Sequence, residues 1–260
     1  MTIDVRDHNR KAWNQQVKGG ESPWAQPVDE AAIAAARKGD WSVVLTPTLP
    51  VPRDWFGDIK GKRVLGLASA GGQQVPLFAA AGAQVTSFDN SDEMLALDRM
   101  VAKREGLDIA FEQGDMRDLS RLADGSFDLI FHPVSNVFVP DVLPVWREAY
   151  RVLAPGGRLL AGFMNPEIFI FDWPKAESEG ELEIKYKLPF SDLTSLSDAE
   201  RAARIEKGEA MEFSHTMDAQ IGGQLKAGFR IEGFYEDRWD GKYPTDPYMP
   251  CSFATLAVKP

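Results

Sequence analysis

Two acids stand where they could hold a nucleoside: Asp89, closing the apolar run Gln84-Val-Thr-Ser-Phe-Asp89, and Asp115, in Gln113-Gly-Asp-Met-Arg-Asp118. A carboxylate at the end of a buried strand can accept hydrogen bonds from both hydroxyls of a ribose. A second carboxylate at the next strand exit can accept from the exocyclic amine of adenine, and the N–H of Met116 can donate to a ring nitrogen. An earlier exit, Ala68-Ser-Ala-Gly-Gly72, carries only small side chains, so its backbone can turn tightly and lie against a ligand. The helix that follows presents free N–H groups. Each feature has a plainer alternative. The small residues could form a turn with no ligand, and Asp115 could cap the turn at Asp118–Leu122. Three exits in register favour an adenosine-containing cofactor lying across one edge of a sheet.

The segment Phe131-His-Pro-Val-Ser-Asn-Val-Phe138 is the other place where chemistry is expected. His132 and Asn136 are read as facing an acceptor, with His132 available as a general base. The alternative is that His132 bonds locally and shapes a pocket. His8, His132 and His215 lack the cysteine or carboxylate spacing of a metal site, and none is expected. Cys251 reads as a small buried apolar residue. Ser69 has no evident triad, and no Gly-x-Ser-x-Gly elbow occurs.

The elements that would position these residues can be read in order. Arg63–Ala68, Gln84–Asp89, Ile109–Glu112, Phe127–Phe131 and Arg158–Phe163 read as short buried strands. Helices from about Gln74 to Gly82, after Ser91, and from Asp141 to Leu153 alternate with them. Such alternation specifies a parallel sheet covered on both faces, with every strand's C-terminal end on one edge. The chain ends in a helix capped by Ser214, then strands Phe229–Tyr235 and Phe253–Val258, read as an antiparallel pair. The expected fold is thus α/β, a Rossmann-like doubly wound sheet, mostly parallel with an antiparallel C-terminal strand. Residues 1–60 are rich in Trp and Pro and are expected to form a lid, with helices near Asp4–Val17 and Val28–Lys38 and an extended run TPTLPVPRDW. Residues 61–260 form the main domain. Within it, 165–208 is acidic, aromatic and too long for a plain loop, and reads as an insertion that covers something.

Composition bounds the partners. The chain has 260 residues and a net charge of −10, and its few basic spots are small, so nucleic acid is a poor partner. No run reaches about 18 apolar residues, so no membrane span is expected. A single Cys and no secretory signal suggest a cytoplasmic setting.

Arg63–Phe163 resembles the class I S-adenosylmethionine-dependent methyltransferases. The resemblance lies in VLGLASAGG, VTSFDNSDEML, GDMRDL, FDLIF and EAYRVLAPGGRLL, in that order, and in the closing helix and strands. It implies S-adenosylmethionine as cofactor and a small-molecule acceptor. It also implies that Ala68, Ser69, Ala70, Gly71, Gly72 and Gln73 approach the methionine part. Asp89 would hold the ribose, Asn90 and Met94 would flank the adenine, and Gly114, Asp115 and Met116 would read its edge. His132 would lie near the methyl. The chain departs from the family pattern at Gly66, where an acid is usual, and at Ala68 and Ala70, where glycines are usual. Gln73 and Gln74 offer amides that would restore some polarity. Two alternatives stay open on these residues: a non-catalytic cofactor-binding protein on the same fold, and an NAD(P)-dependent oxidoreductase.

Overall fold

The computed structural model describes residues 3–20 and 22–260. Its centre is a seven-stranded sheet in the order β3-β2-β1-β4-β5-β7-β6. The strands are β1 (Arg63–Leu67), β2 (Gln84–Asp89), β3 (Ile109–Gln113), β4 (Phe127–His132), β5 (Leu153–Met164), β6 (Arg230–Asp237) and β7 (Ser252–Val258). β1 to β5 run parallel, and β7 pairs antiparallel with both β5 and β6. The expected doubly wound sheet with an antiparallel C-terminal end is therefore present.

Side-chain alternation sorts the core into two layers. Val64, Val85, Leu129 and Phe131 point to a face shared with Trp55, Phe56 and Phe78. Leu65, Leu67, Phe88 and Ile130 point to the opposite face, against Trp146, Val145 and Ala149. The helices are α1 (Val5–Gly19), α2 (Glu30–Ala36), α3 (Arg53–Phe56), α4 (Gln74–Ala80), α5 (Asp92–Glu105), α6 (Leu143–Val152), α7 (Trp173–Glu179), α8 (Asp198–Glu206) and α9 (Gly223–Ala227). α5 starts where Ser91 Oγ accepts from Met94 N, and it stops at Gly106 in the left-handed region. α1 is capped in the same way by Asp4, whose side chain accepts from Asp7 N.

Four local expectations are corrected. The run after Thr46 is not extended throughout, because Arg53–Phe56 makes a helical turn that buries Trp55 and Phe56. β5 begins at Leu153 rather than Arg158, because Leu153 pairs with Phe127 before a register shift. The segment after Ser214 is not a plain helix: Asp218–Gly222 forms a π turn that leads into α9. Ser214 does not cap it. Its Oγ accepts from Phe190 N, and Thr216 Oγ1 accepts from Ala219 N instead. Residues 165–208 fold as the short turn Pro166–Ile170, α7 and α8, with Phe169 stacked on Phe190.

Candidate active site

A cavity of about 260 Å³ opens at the C-terminal ends of β1, β2 and β4, where the strand order reverses between β1 and β4. Ala68, Ala70, Asp89, Asn90, Met94, Gly114, Asp115 and Met116 all line it. The two acids singled out from sequence thus open onto one space.

Asp89 Oδ1 accepts from Ser91 N at 2.7 Å. Burial pushes its carboxyl up to about 6, against the pull of backbone N–H bonds from Ser91 and Asn90. Asp115 is gripped by Arg117, through Nε to both carboxylate oxygens and through the far nitrogen to Oδ2 at 2.6 Å. Burial opposes ionisation of Asp115, but the bonds from Arg117 win and hold its carboxyl below the usual range. Arg117 N also donates to Oδ1 at 2.9 Å, so each oxygen takes two bonds and an arriving amine would have to displace the shared Nε bond from one of them. Gly114 has no room for a side chain, since a Cβ there would collide with the Phe88 ring.

The loop after β1 holds an unusual backbone. Ala68 (φ 49°) and Ala70 (φ 64°) occupy the left-handed region, as does Gly72. For alanine this costs roughly 1–2 kcal/mol each. Gly66 also has a cause: a Cβ there would strike Val75 and come within 2.8 Å of Ser69 Oγ. An acid at that position has no space in this packing.

The other predicted residues of this loop lie off the cavity wall. Ser69 is buried beneath it. Gly71 N donates to the carbonyl of Trp24, and Gly72 N donates to Asp98 Oδ1 at 2.7 Å. Gln73 Nε2 donates to the carbonyls of Pro23 and Gln26, tying the loop to the N-terminal segment. Gln74 lines the cavity and is buried, and its Oε1 has no hydrogen-bond partner among the described residues.

His132 and Asn136 do not line the cavity. His132 shares the β4 face of Ile130, so its ring turns edge-on to Trp146. It is fully buried, and its Nδ1 donates to the carbonyl of Leu67 at 2.9 Å. Burial pushes it down to about 4 despite that bond, so the ring is neutral at physiological pH. Asn136 exchanges amide hydrogen bonds with Gln220, and its carbonyl lies 2.9 Å from His215 Nε2. Their neighbours Pro133, Val134, Ser135, Val137 and Phe138 reach the cavity instead. The reading of His132 as a base facing the acceptor is thus corrected by strand pleat, and that of Asn136 by the amide pair.

Sequence reasoning missed several wall residues. Arg6 on α1 lines the cavity and bonds Asn90 in both directions, with Nε donating to Oδ1 and the Arg6 carbonyl accepting from Nδ2. Arg117 could have been found as a cation two residues beyond Asp115. Much of the remaining lining is apolar and aromatic, with Leu45, Met164, Phe169 and Trp239, and it includes Glu212. Glu212 sits between buried Met211 and Phe213, an alternation that could have flagged it. Its carboxylate makes no hydrogen bond among the described residues, and Arg204 approaches to 3.9 Å. Desolvation in the cavity wall, with the nearby charges of Asp192 and Glu209, pushes Glu212 up to about 7 against the charge of Arg204, although its side chain keeps 35% of its exposure.

No group of three or more His, Cys, Asp or Glu able to hold a metal occurs among the described residues. No helix among them is long and apolar enough to cross a membrane.

A family model described as a methyltransferase domain matches residues 65–161, the stretch that builds this edge of the sheet. The chain belongs to the class I S-adenosylmethionine-dependent methyltransferases, and its cofactor is S-adenosylmethionine. Among individual proteins, it is 49% identical over 252 residues to the uncharacterized methyltransferase YbaJ of Bacillus subtilis, covering 97% of each chain. The ubiquinone biosynthesis O-methyltransferase of Xanthomonas oryzae pv. oryzae is 31% identical over 119 residues, 45% of this chain and 50% of that protein. In fold, the chain is similar to the crystal structure of an S-adenosylmethionine-dependent methyltransferase from Mesorhizobium loti. The TM-score there is 0.60 at 21% identity, over 79% of this chain and 94% of that one. The hydride-transfer and non-catalytic alternatives give way to a methyltransferase.

Proposed function

We propose that the enzyme methylates a small, largely apolar molecule that carries an ionisable proton at its acceptor atom. The observation that carries this reading is one cavity that draws its lining from both halves of the sheet. Asp89 and Asp115 stand at the exits of β2 and β3, whereas Met164 and Trp239 come from the β5 and β6 side of the sheet, and Phe169 and Glu212 line the same space. The residues present fit an adenosyl cofactor. Asp89 would take the ribose hydroxyls, Asn90 and Met94 would flank the base, and Gly114, Asp115 and Met116 would meet its edge. Ala68 and Ala70, with Ser69, Gly71, Gly72 and Gln73 as their support, would form the bed of the methionine part. The buried Gln74 Oε1 that lacks a donor is the group here that suits an ammonium.

The bound cofactor supplies an activated methyl on a sulfonium, open to in-line displacement. The protein aligns an acceptor with that methyl in a space shielded from water, and such positioning is worth about 7–11 kcal/mol. Residues 1–60 and the insertion 165–208 act as the cover that excludes water and selects the acceptor. Glu212 takes the proton that the acceptor loses, a contribution of roughly 10²–10⁴-fold. His132 shapes the wall from behind through its bond to Leu67.

The test uses S-adenosylmethionine labelled in the methyl group, incubated with a whole-cell extract split by dialysis. Label is expected in the dialysable fraction, in material that partitions into organic solvent. Label confined to retained protein or nucleic acid contradicts a small-molecule acceptor.

A further inference from the structure

Asp98 is a charged residue placed where ordinary packing would put an apolar one. It lies in the middle of α5 on the side that faces the sheet, and it is 1% exposed. Its two oxygens have separate partners. Oδ2 accepts from Ser87 Oγ on β2 at 2.6 Å, and Oδ1 accepts from Gly72 N at 2.7 Å. The second bond reaches the loop that bears Ala68 and Ala70, the residues of that loop that line the cavity.

That loop needs outside support. Left-handed alanines persist only where their surroundings over-determine the backbone. The supports visible here are Ala68 N on the Phe88 carbonyl, Gly71 N on the Trp24 carbonyl, Gly72 N on Asp98, and Val28 N on the Gly72 carbonyl. Two of these reach the loop from residues 24–28, a segment outside the sheet. Asp98 holds the loop from the body of the fold, through a buried carboxyl whose other oxygen is fixed by Ser87 on β2.

We infer that Asp98 is a positioning residue for the cofactor: by accepting from Gly72 N–H it sets the height and shape of the bed on which the methionine part of S-adenosylmethionine lies. This rests on the proposed placement of the cofactor in the cavity. Asp98 is not itself in the cavity wall, so it acts through the loop and not by contact. The charged groups that bear on it are Asp89 on β2, which disfavours its ionisation, and Arg99 beside it on α5, which favours it.

The test is calorimetric titration of the folded protein with S-adenosylhomocysteine, comparing wild type with Asp98→Ala, Asp98→Asn and Ser87→Ala. Asp98→Ala is expected to weaken binding at least tenfold. Asp98→Asn keeps an oxygen for Gly72 N–H and should recover most of that loss. Ser87→Ala leaves the Gly72 bond in place and should stay within about threefold of wild type. Should Asp98→Ala not fold, the Gly72 amide resonance decides. It should be protected from hydrogen exchange in the wild type and stay protected in Asp98→Asn, which keeps an acceptor for it. Affinity of Asp98→Ala within twofold of wild type, Asp98→Asn as weak as Asp98→Ala, or a Gly72 amide that exchanges freely in the folded wild type would each overturn the inference alone. Wild-type protein that takes up no S-adenosylhomocysteine overturns the placement of the cofactor on which it rests, and the inference with it.

Discussion

Asp89 combines a free hydrogen-bonding capacity with an unfavourable burial, and this makes its protonation state part of binding. A ribose diol donates to the carboxylate and so favours the ionised form. With the empty site's carboxyl near 6, affinity for S-adenosylhomocysteine should be level above about pH 6.5. Below that it should weaken by up to about tenfold per pH unit, as a proton must leave first. Asp89→Asn should lower affinity at neutral pH by roughly 10–100-fold, the worth of a hydrogen bond to a charged group, and flatten the acid limb. Calorimetry across pH checks both. Glu212 makes the complementary case on the acceptor side. It serves as a base only when ionised, so turnover should rise through about pH 7. Glu212→Gln should cost about 10²-fold and abolish that rise. Residues at strand exits were legible in the sequence because chain direction and sheet topology put them on one edge. Asp98 and Glu212 were not. An acid in a helix or a strap reads as surface until packing shows which way it turns.

At the scale of elements, the β1 loop and α1 carry the main consequences. Ala68 and Ala70 hold conformations that glycine adopts freely. Ala→Gly at either position should stabilise the protein by about 0.5–1 kcal/mol, the relief of strain less the entropy that glycine adds to the unfolded chain. Urea unfolding of the two variants measures this, and a loss of stability would contradict the strain argument. α1 lines the cavity with Val5, Asn9 and Trp13, and Trp13 meets Phe138 edge-on at 5.0 Å. Its links to the start of α5 are polar and mostly exposed: Arg10 to Asp92 at 3.0 Å and Lys18 to Glu93 at 3.1 Å. Such pairs contribute well under 1 kcal/mol each, and α1 is held chiefly by buried Val5 and Ala12 and by Asn9, which donates to the Phe138 and Met211 carbonyls and accepts from Met211 N. S-adenosylhomocysteine should slow hydrogen exchange in α1 by tenfold or more, while exchange in β1 and β4 changes little. Helix ends such as Ser91 and Gly82 were readable because caps are local chemistry. The π turn at Asp218–Gly222 was not, because what competes with a plain helix there is tertiary, including the bond from Trp146 Nε1 to the Ala219 carbonyl.

For the whole molecule, the doubly wound core follows from alternating apolar faces, and the cavity follows from the reversal of strand order. The cover does not follow from periodicity, since its aromatic residues serve packing and binding alike. The buried acids also set the pH response of the free enzyme. Asp98 keeps its proton in the folded state to about 7, whereas an unfolded chain loses it near 4. Folding stability from this group is therefore present below about pH 4 and is lost as pH rises to about 7, by at most roughly 1.4 kcal/mol per pH unit. Urea unfolding at pH 5 and pH 8 should show wild type losing stability relative to Asp98→Asn. The measurement that bears most directly on the central claim is diffraction from crystals grown with S-adenosylhomocysteine. The account predicts ribose hydroxyls on Asp89, the adenine edge at Asp115, and the sulfur aimed at the wall of Phe169, Trp239 and Glu212. Density for the nucleoside anywhere else, or a sulfur turned away from that wall, would contradict it.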